Sequence, residues 1–166
     1  MIFENKITEY FSSNLITRTI DENLSQDLTY EDNLIISQIG LPNDILSFQF
    51  TDAICLLSKS EIIIGKTSYD SNIILNLESG NIMRDHDLFI SKSLKNLTQQ
   101  LYIYDSLWKI DIPQEKFGNY RDNCNHKKYA EFLKTELLKI DEDLLKNDTG
   151  YFWGSLIEDI EFGIVG

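Results

Sequence analysis

Cysteine, histidine and proline are each present only twice in the 166 residues of this chain. Cys55 and Cys124 alone cannot form a disulfide framework, and a cytoplasmic chain rarely keeps even one bridge. Cys55 lies in the apolar run Ala53-Ile54-Cys55-Leu56-Leu57 and is expected to be a buried, inert thiol. A structural zinc site would need Cys55, Cys124, His86 and His126 all to converge, and no paired spacing supports that, so no metal and no cofactor are expected. No apolar run approaches the roughly 20 residues of a membrane-spanning helix. The opening Met1-Ile2-Phe3-Glu4-Asn5 lacks the basic start and long apolar stretch of a secretory signal. Membrane association is therefore not expected, and cytoplasmic residence is. Basic residues are also short: 15 against 27 acids, a net charge of −12. Such a chain repels phosphate backbones at long range, which disfavours direct nucleic-acid binding.

Hydrophobic residues make up 42% of the chain, enough for a core without a staple. Acids are unevenly placed. Residues 1–32 hold Glu4, Glu9, Asp21, Glu22, Asp27, Glu31 and Asp32 against Lys6 and Arg18. The stretch from Asp141 adds Glu142, Asp143, Asp148, Glu158, Asp159 and Glu161 against Lys146. These acids serve solubility or steer a basic protein partner.

Periodicity supplies the elements. Phe3, Ile7, Tyr10, Phe11 and Leu15 predict an amphipathic helix over 3–16, followed by a polar connector through Asp21-Glu22-Asn23. A second helix is expected over 29–39, capped by Thr29 with Asp32 three residues on; Gly40 ends it in a left-handed C-cap and Pro42 forbids continuation. From Phe48 the runs 48–50, 53–57, 61–65, 72–77 and 81–83 read as short strands separated by turns, a mostly antiparallel meander. Loss of alternation in Ile62-Ile63-Ile64 and Ile73-Ile74 predicts strands covered on both faces. A helix is expected from Ser91 through Leu94, Leu97 and Leu101. An irregular loop at Pro113 and Gly118 precedes a long helix from His126 or Lys127 to Leu145. After a break at Asp148-Thr149-Gly150, a final helix runs over 151–160 and is ended by Gly163. The expectation is one α+β domain over 1–166, with a central, mostly antiparallel sheet of about five or six strands flanked by N-terminal and C-terminal helices.

Catalytic chemistry is hard to find. In Arg84-Asp85-His86-Asp87, an extended segment would put Asp85 and Asp87 on one face and His86 on the other, so the stretch reads as a solvated strand end. Cys124-Asn125-His126 places cysteine and histidine almost adjacent in sequence, which is not how a nucleophile–base pair is normally built. Gly65-Lys66-Thr67 echoes the end of a phosphate-binding loop but lacks the preceding glycine. The remaining functional hint is aromatic. Tyr102, Tyr104 and Trp108, then Phe117 and Tyr120, lie near Asp105 and Asp111. They read either as core or as protein-binding anchors. The candidate partner-binding residues are Asp85, Asp87, Tyr104, Asp105, Trp108 and Asp111.

The order of the signals is itself informative. Gly40-Leu41-Pro42 follows a helix; Ile62-Ile63-Ile64-Gly65 and Ile73-Ile74-Leu75 follow a phenylalanine strand; Ser91-Lys92-Ser93-Leu94 opens a helix; and Trp153-Gly154-Ser155-Leu156-Ile157-Glu158 runs on to Gly163. Over roughly 30–163 this resembles the SUKH superfamily, most closely its fourth subgroup of bacterial immunity proteins. The resemblance implies an α+β fold and a non-enzymatic activity: binding and neutralising a cognate toxin, often a nuclease or deaminase, with no cofactor and no catalytic residue. A basic toxin domain suits the acidity. By the same resemblance Gly40, Leu41, Pro42, Gly65, Trp153 and Gly163 are structural residues. A regulatory protein-binding scaffold of the same superfamily is the alternative, followed by a small hydrolase using Cys124. Residues 1–29 carry no family signature, which leaves open whether they serve core or interface.

Overall fold

In a computed structural model, secondary structure is described for residues 2–114, 125–146 and 152–164, and side chains for those residues except 2–4 and 51–53. Phe117, Gly118, Tyr120, Cys124, Asp148-Thr149-Gly150 and Tyr151, named above, lie outside the described residues. The fold is α+β, and the chain groups into two compact units, Met1–Leu101 and Tyr102–Gly166.

The first unit opens with helix α1 (Ile2–Phe11), which is shorter than its apolar stripe predicts. Ser12 takes a positive φ of 45°, a 3-10 turn follows over Ser12–Asn14, and Leu15–Ile16 becomes strand β1. Asp21, expected in a connector, instead caps a short helix α2 (Glu22–Asp27), its carboxylate accepting the Asn23 N–H at 2.8 Å. Leu24 and Leu28, one helical turn apart, are buried at its inner side. Together with buried Ile7 and Phe11 they anchor this N-terminal segment on the core of the unit, while Glu9, Asp21, Glu22 and Asp27 stay exposed.

Helix α3 (Tyr30–Leu34) starts as its cap predicts. Thr29 Oγ1 accepts the Asp32 N–H at 3.1 Å and donates to Asp32 Oδ2 at 2.6 Å. Burial raises the Asp32 pKa above the ordinary value, with that hydroxyl opposing the shift. The chain then widens into a π-helical turn, Ile35–Ile39, whose last bond runs from Gly40 N–H to Ile35 O at 2.7 Å. Gly40 has φ 93° and ψ 158°. It is not the left-handed helical cap expected but an extended conformation essentially confined to glycine. It delivers Leu41–Pro42 directly as strand β2, antiparallel to β1 with Ile16 opposite Leu41.

The main sheet is a meander of five antiparallel strands in sequence order: β3 (Phe48–Ser58), β4 (Glu61–Thr67), β5 (Asn72–Asn76), β6 (Ile82–Arg84) and β7 (Leu88–Ser91). The two runs at 48–50 and 53–57 are one strand, and Leu88–Ser91, outside the five expected runs, is the fifth. Phe50 pairs with Gly65 and Cys55 with Ile63, so five steps along β3 meet two along β4 and the pairing is irregular there. Leu75, Ile82 and Ser91 extend the row that starts at Ile62, and all four are buried. Ile73 and Ile74 are buried as well, so the central strand β5 is covered on both faces. Gly65 is needed where β3 crosses it: a Cβ there would lie 2.7 Å from Gln49 O. Cys55 corrects its expectation, because it is exposed. β3 is an outer strand, and beyond that irregularity Cys55, Leu56 and Leu57 all lie open to solvent.

Ser93, rather than Ser91, caps helix α4 (Leu94–Ser106), its hydroxyl accepting the Asn96 N–H at 3.1 Å. The end of α4 belongs to the second unit and passes into a π-helical turn, Leu107–Asp111. In that unit helix α5 (Asn125–Ile140) packs with helix α6 (Phe152–Glu161). α5 stops at Ile140, short of Leu145, because the Asp141 carboxylate turns the chain by accepting the Asp143 N–H at 3.0 Å. Trp153, Ile157 and Ile160 form the buried stripe of α6. Gly163 closes it at φ 70°, donating to Ile160 O while Ile164 donates to Asp159 O, the paired bonds of a Schellman cap.

Candidate protein-binding surface

The residues picked out in sequence fall into two groups, one in each unit. Asp85 and Asp87 lie in the first unit, in the turn between β6 and β7 rather than on an extended strand end. Asp85 and His86 have φ 46° and 69°. The Asp85 carboxylate accepts the Asn72 N–H at 2.7 Å, tying this turn to the one between β4 and β5. Hydrogen bonds from the Ser71 hydroxyl and the Asn72 N–H hold its pKa below the ordinary aspartate value. His86 Nδ1 reaches Glu61 Oε1 at 3.3 Å.

A depressed folded-state pKa contributes stability above the unfolded value, lost as pH falls through the folded one. We therefore expect the Asp85 carboxyl, followed by NMR, to titrate below about 3.9, the ordinary aspartate value. Asp85→Asn should flatten acid unfolding in that window. A midpoint at or above the ordinary value would show that the turn does not rest on the ionised carboxylate.

Tyr104, Asp105, Trp108 and Asp111 lie in the second unit, on the end of α4 and its π-turn. Tyr104 and Trp108 belong to an aromatic ladder. Ring centroids are 6.2 Å apart for Tyr104–Trp108, 6.1 Å for Trp108–Tyr129 and 5.9 Å for Tyr129–His126. Burial raises the Tyr104 pKa. Asp105 is buried and pairs with Lys109 at 2.8 Å, and Asp111 is half-buried. Among the described residues, no group of three histidine, cysteine or acidic side chains could hold a metal ion, and no helix is long and apolar enough to cross a membrane.

Two features not singled out in sequence are more exposed. Tyr69, in the turn between β4 and β5, is 88% exposed, and Tyr30, at the first position of α3, is 84% exposed. Each stands directly before an acid, Asp70 and Glu31. Tyr69 sits at the end of the sheet where three loops meet, those around residues 43–47, 68–71 and 85–87. The charge there is mixed, since Asp70 pairs with Lys66 at 2.5 Å and Arg84 flanks Asp85.

The first unit's negative charge lies elsewhere. Residues 1–34, which hold α1, α2 and α3, carry seven acids against two bases; residues 35–101 carry seven against five. One charge of each sign is buried there: Arg18, with Nη1 donating to Ile16 O at 2.6 Å, and Asp32. Two of these helices also wall a small apolar cleft, with Ile7 of α1, Leu34 of α3, Ile35 and Ile39 of the π-turn and Thr98 of α4 lining it. Glu31 and Lys95, both half-exposed and 2.7 Å apart, border it on the solvent side. A tyrosine before an acid and acids in an N-terminal segment are both readable in sequence; the cleft, made by three separate segments, is not.

No family model, no curated protein and no solved structure matches this chain.

Proposed function

We propose that this chain is an immunity-type protein, as its resemblance to the SUKH superfamily implies, which binds and neutralises a cognate basic toxin domain such as a nuclease or deaminase. The observation that carries the reading is the concentration of acids on the N-terminal helices, beside an exposed tyrosine, in a chain of net charge −12. Tyrosine supplies large contact area at low entropic cost, and clustered acids steer a basic partner into encounter. Neutralisation by this means needs no bond-making: the toxin is captured quickly and its active surface occluded.

The test is a tagged pull-down from the source cells, followed by co-expression of whatever domain is recovered. The expected result is a basic C-terminal domain of a secreted protein whose toxicity this chain relieves. Relief of no recovered domain's toxicity overturns the reading. Steering has its own signature. Between about 50 and 500 mM salt the association rate should fall by about tenfold or more, with a smaller change in dissociation. A flat salt dependence would remove charge from the mechanism.

A further inference from the structure

The exposed end of β3 breaks the rule by which the rest of the sheet is built. Across the sheet, Leu56 pairs with Ile62, Ile62 with Leu75, Leu75 with Ile82 and Ile82 with Ser91. Ile62, Leu75, Ile82 and Ser91 are each 0% exposed, whereas Leu56, the outer member of the row, is 63% exposed. Its neighbours Cys55 and Leu57 are exposed too. β3 has a paired strand, β4, on one side only, so its other side offers strand backbone for pairing. Such an edge is ordinarily guarded by charge or proline. Residues 53–60 contain neither proline nor acid, and Lys59 is their one charge.

Charge and symmetry select the occupant. A basic partner finds no carboxylate along 53–60, whereas two chains of net charge −12 can touch there without bringing acids face to face. Antiparallel pairing of two identical strands about a two-fold axis is isologous, so the run meets itself. With the axis at Leu56, Leu56 stands opposite its own copy, and Cys55 stands opposite Leu57 on each side of the axis. Each exposed apolar residue thereby meets another, and the row that stops at Leu56 continues into its copy. The run Ile54–Ser58 gives five residues a side, against roughly 20–30 in a standard interface, so the association is weak.

We propose that the outer edge of β3 over Ile54–Ser58 is a self-association surface, on which a second copy of this chain pairs antiparallel about a two-fold axis at Leu56 and joins two five-stranded sheets into one. The dimer is reversible and does not rest on the toxin-binding reading above. Unlike capture of a basic partner, it strengthens with salt, which screens the repulsion between two chains of like charge.

The test is sedimentation equilibrium of the full chain, with a dimer dissociation constant of about 10–500 μM expected. That constant should fall about two- to fivefold between about 50 and 500 mM salt. Leu56→Lys, at an exposed position, should fold and weaken association by about tenfold or more, because it sets two ammonium groups opposite each other. Register is read by disulfide capture in a Cys124→Ser background, with oxidised glutathione as the oxidant. Opposed residues of an antiparallel pair have Cα atoms about 4.5–5.5 Å apart, within reach of a disulfide. Residues offset by two positions stand about 8 Å apart, beyond that reach. The double variant Cys55→Ser, Leu56→Cys should therefore be captured as a covalent dimer at least about tenfold faster than the chain that keeps Cys55 and Leu56, a gain that loss of structure cannot produce. A native chain that stays monomeric up to about 1 mM, a dimer that weakens with salt, or equal capture at the two positions overturns the proposal. So does a folded Leu56→Lys that associates as the native chain does.

Discussion

Trp153→Ala should lower stability by about 3–5 kcal/mol, the range for emptying a buried tryptophan site. The indole is 1% exposed and meets the Phe152 ring edge-on at 5.2 Å between centroids. It heads the stripe that continues through Ile157 and Ile160, by which α6 is buried. α6 is only 10 residues long, too short to persist in water by its own propensity, so its helicity depends on that buried face. Against a total of about 5–15 kcal/mol for a domain, the loss is large. In a chain of this size it should lower the melting temperature by about 6–20 °C, read by far-UV circular dichroism. Trp153→Phe, which keeps a ring in the site, should lose less. Equal melting of Trp153→Ala and the native chain would remove the indole from the core.

The second large effect is expected at Gly40, for two separable reasons. Its φ of 93° with ψ 158° lies where a side chain is strained, at a cost of about 1–3 kcal/mol. A Cβ would also stand 3.0–3.1 Å from the backbone C, N and O of Ile16, which has no flexible end to move aside, and overpacking of that kind costs about 1–3 kcal/mol more. Gly40→Ala should therefore destabilise by about 2–6 kcal/mol and move the urea midpoint down by about 1 M or more. The damage has a definite location. The β1–β2 pairing must open, and the π-turn that holds Ile35 and Ile39 in the cleft must shift. A native-like urea midpoint would mean that another backbone path satisfies this crossing.

Local chemistry was legible where one residue type settles the matter. Thr29 caps α3 and Gly163 closes α6, whereas Gly40 ends its helix in an extended conformation instead of the left-handed cap. Errors arose where a partner distant in sequence decides the outcome. Leu15 and Ile16 continue a helical stripe on paper, yet they pair with Leu41 and Pro42 instead. Ala53 to Leu57 has the composition of a core strand, and only its place at the sheet edge, past an irregular stretch of pairing, explains why Cys55, Leu56 and Leu57 face solvent. α2 escaped notice because six residues give too little periodicity, although Asp21 as a cap with Leu24 and Leu28 in step was sufficient signal. The acids of the candidate surface could be counted in advance. Its cleft could not, because Ile7, Leu34, Ile39 and Thr98 come from segments that share no sequence pattern.

Among the described residues, seven non-glycine positions have a positive φ, and six of them, Asp44, Leu46, Ser47, Asp70, Asp85 and His86, lie in the three loops at one end of the sheet. Backbone of this kind accepts aspartate, asparagine, histidine and glycine far more readily than a β-branched residue. Those loops therefore have a restricted alphabet for neutral drift. Over evolutionary time they can exchange charge for amide or for glycine at little conformational cost, but they can acquire valine, isoleucine or threonine at these six positions only by being rebuilt.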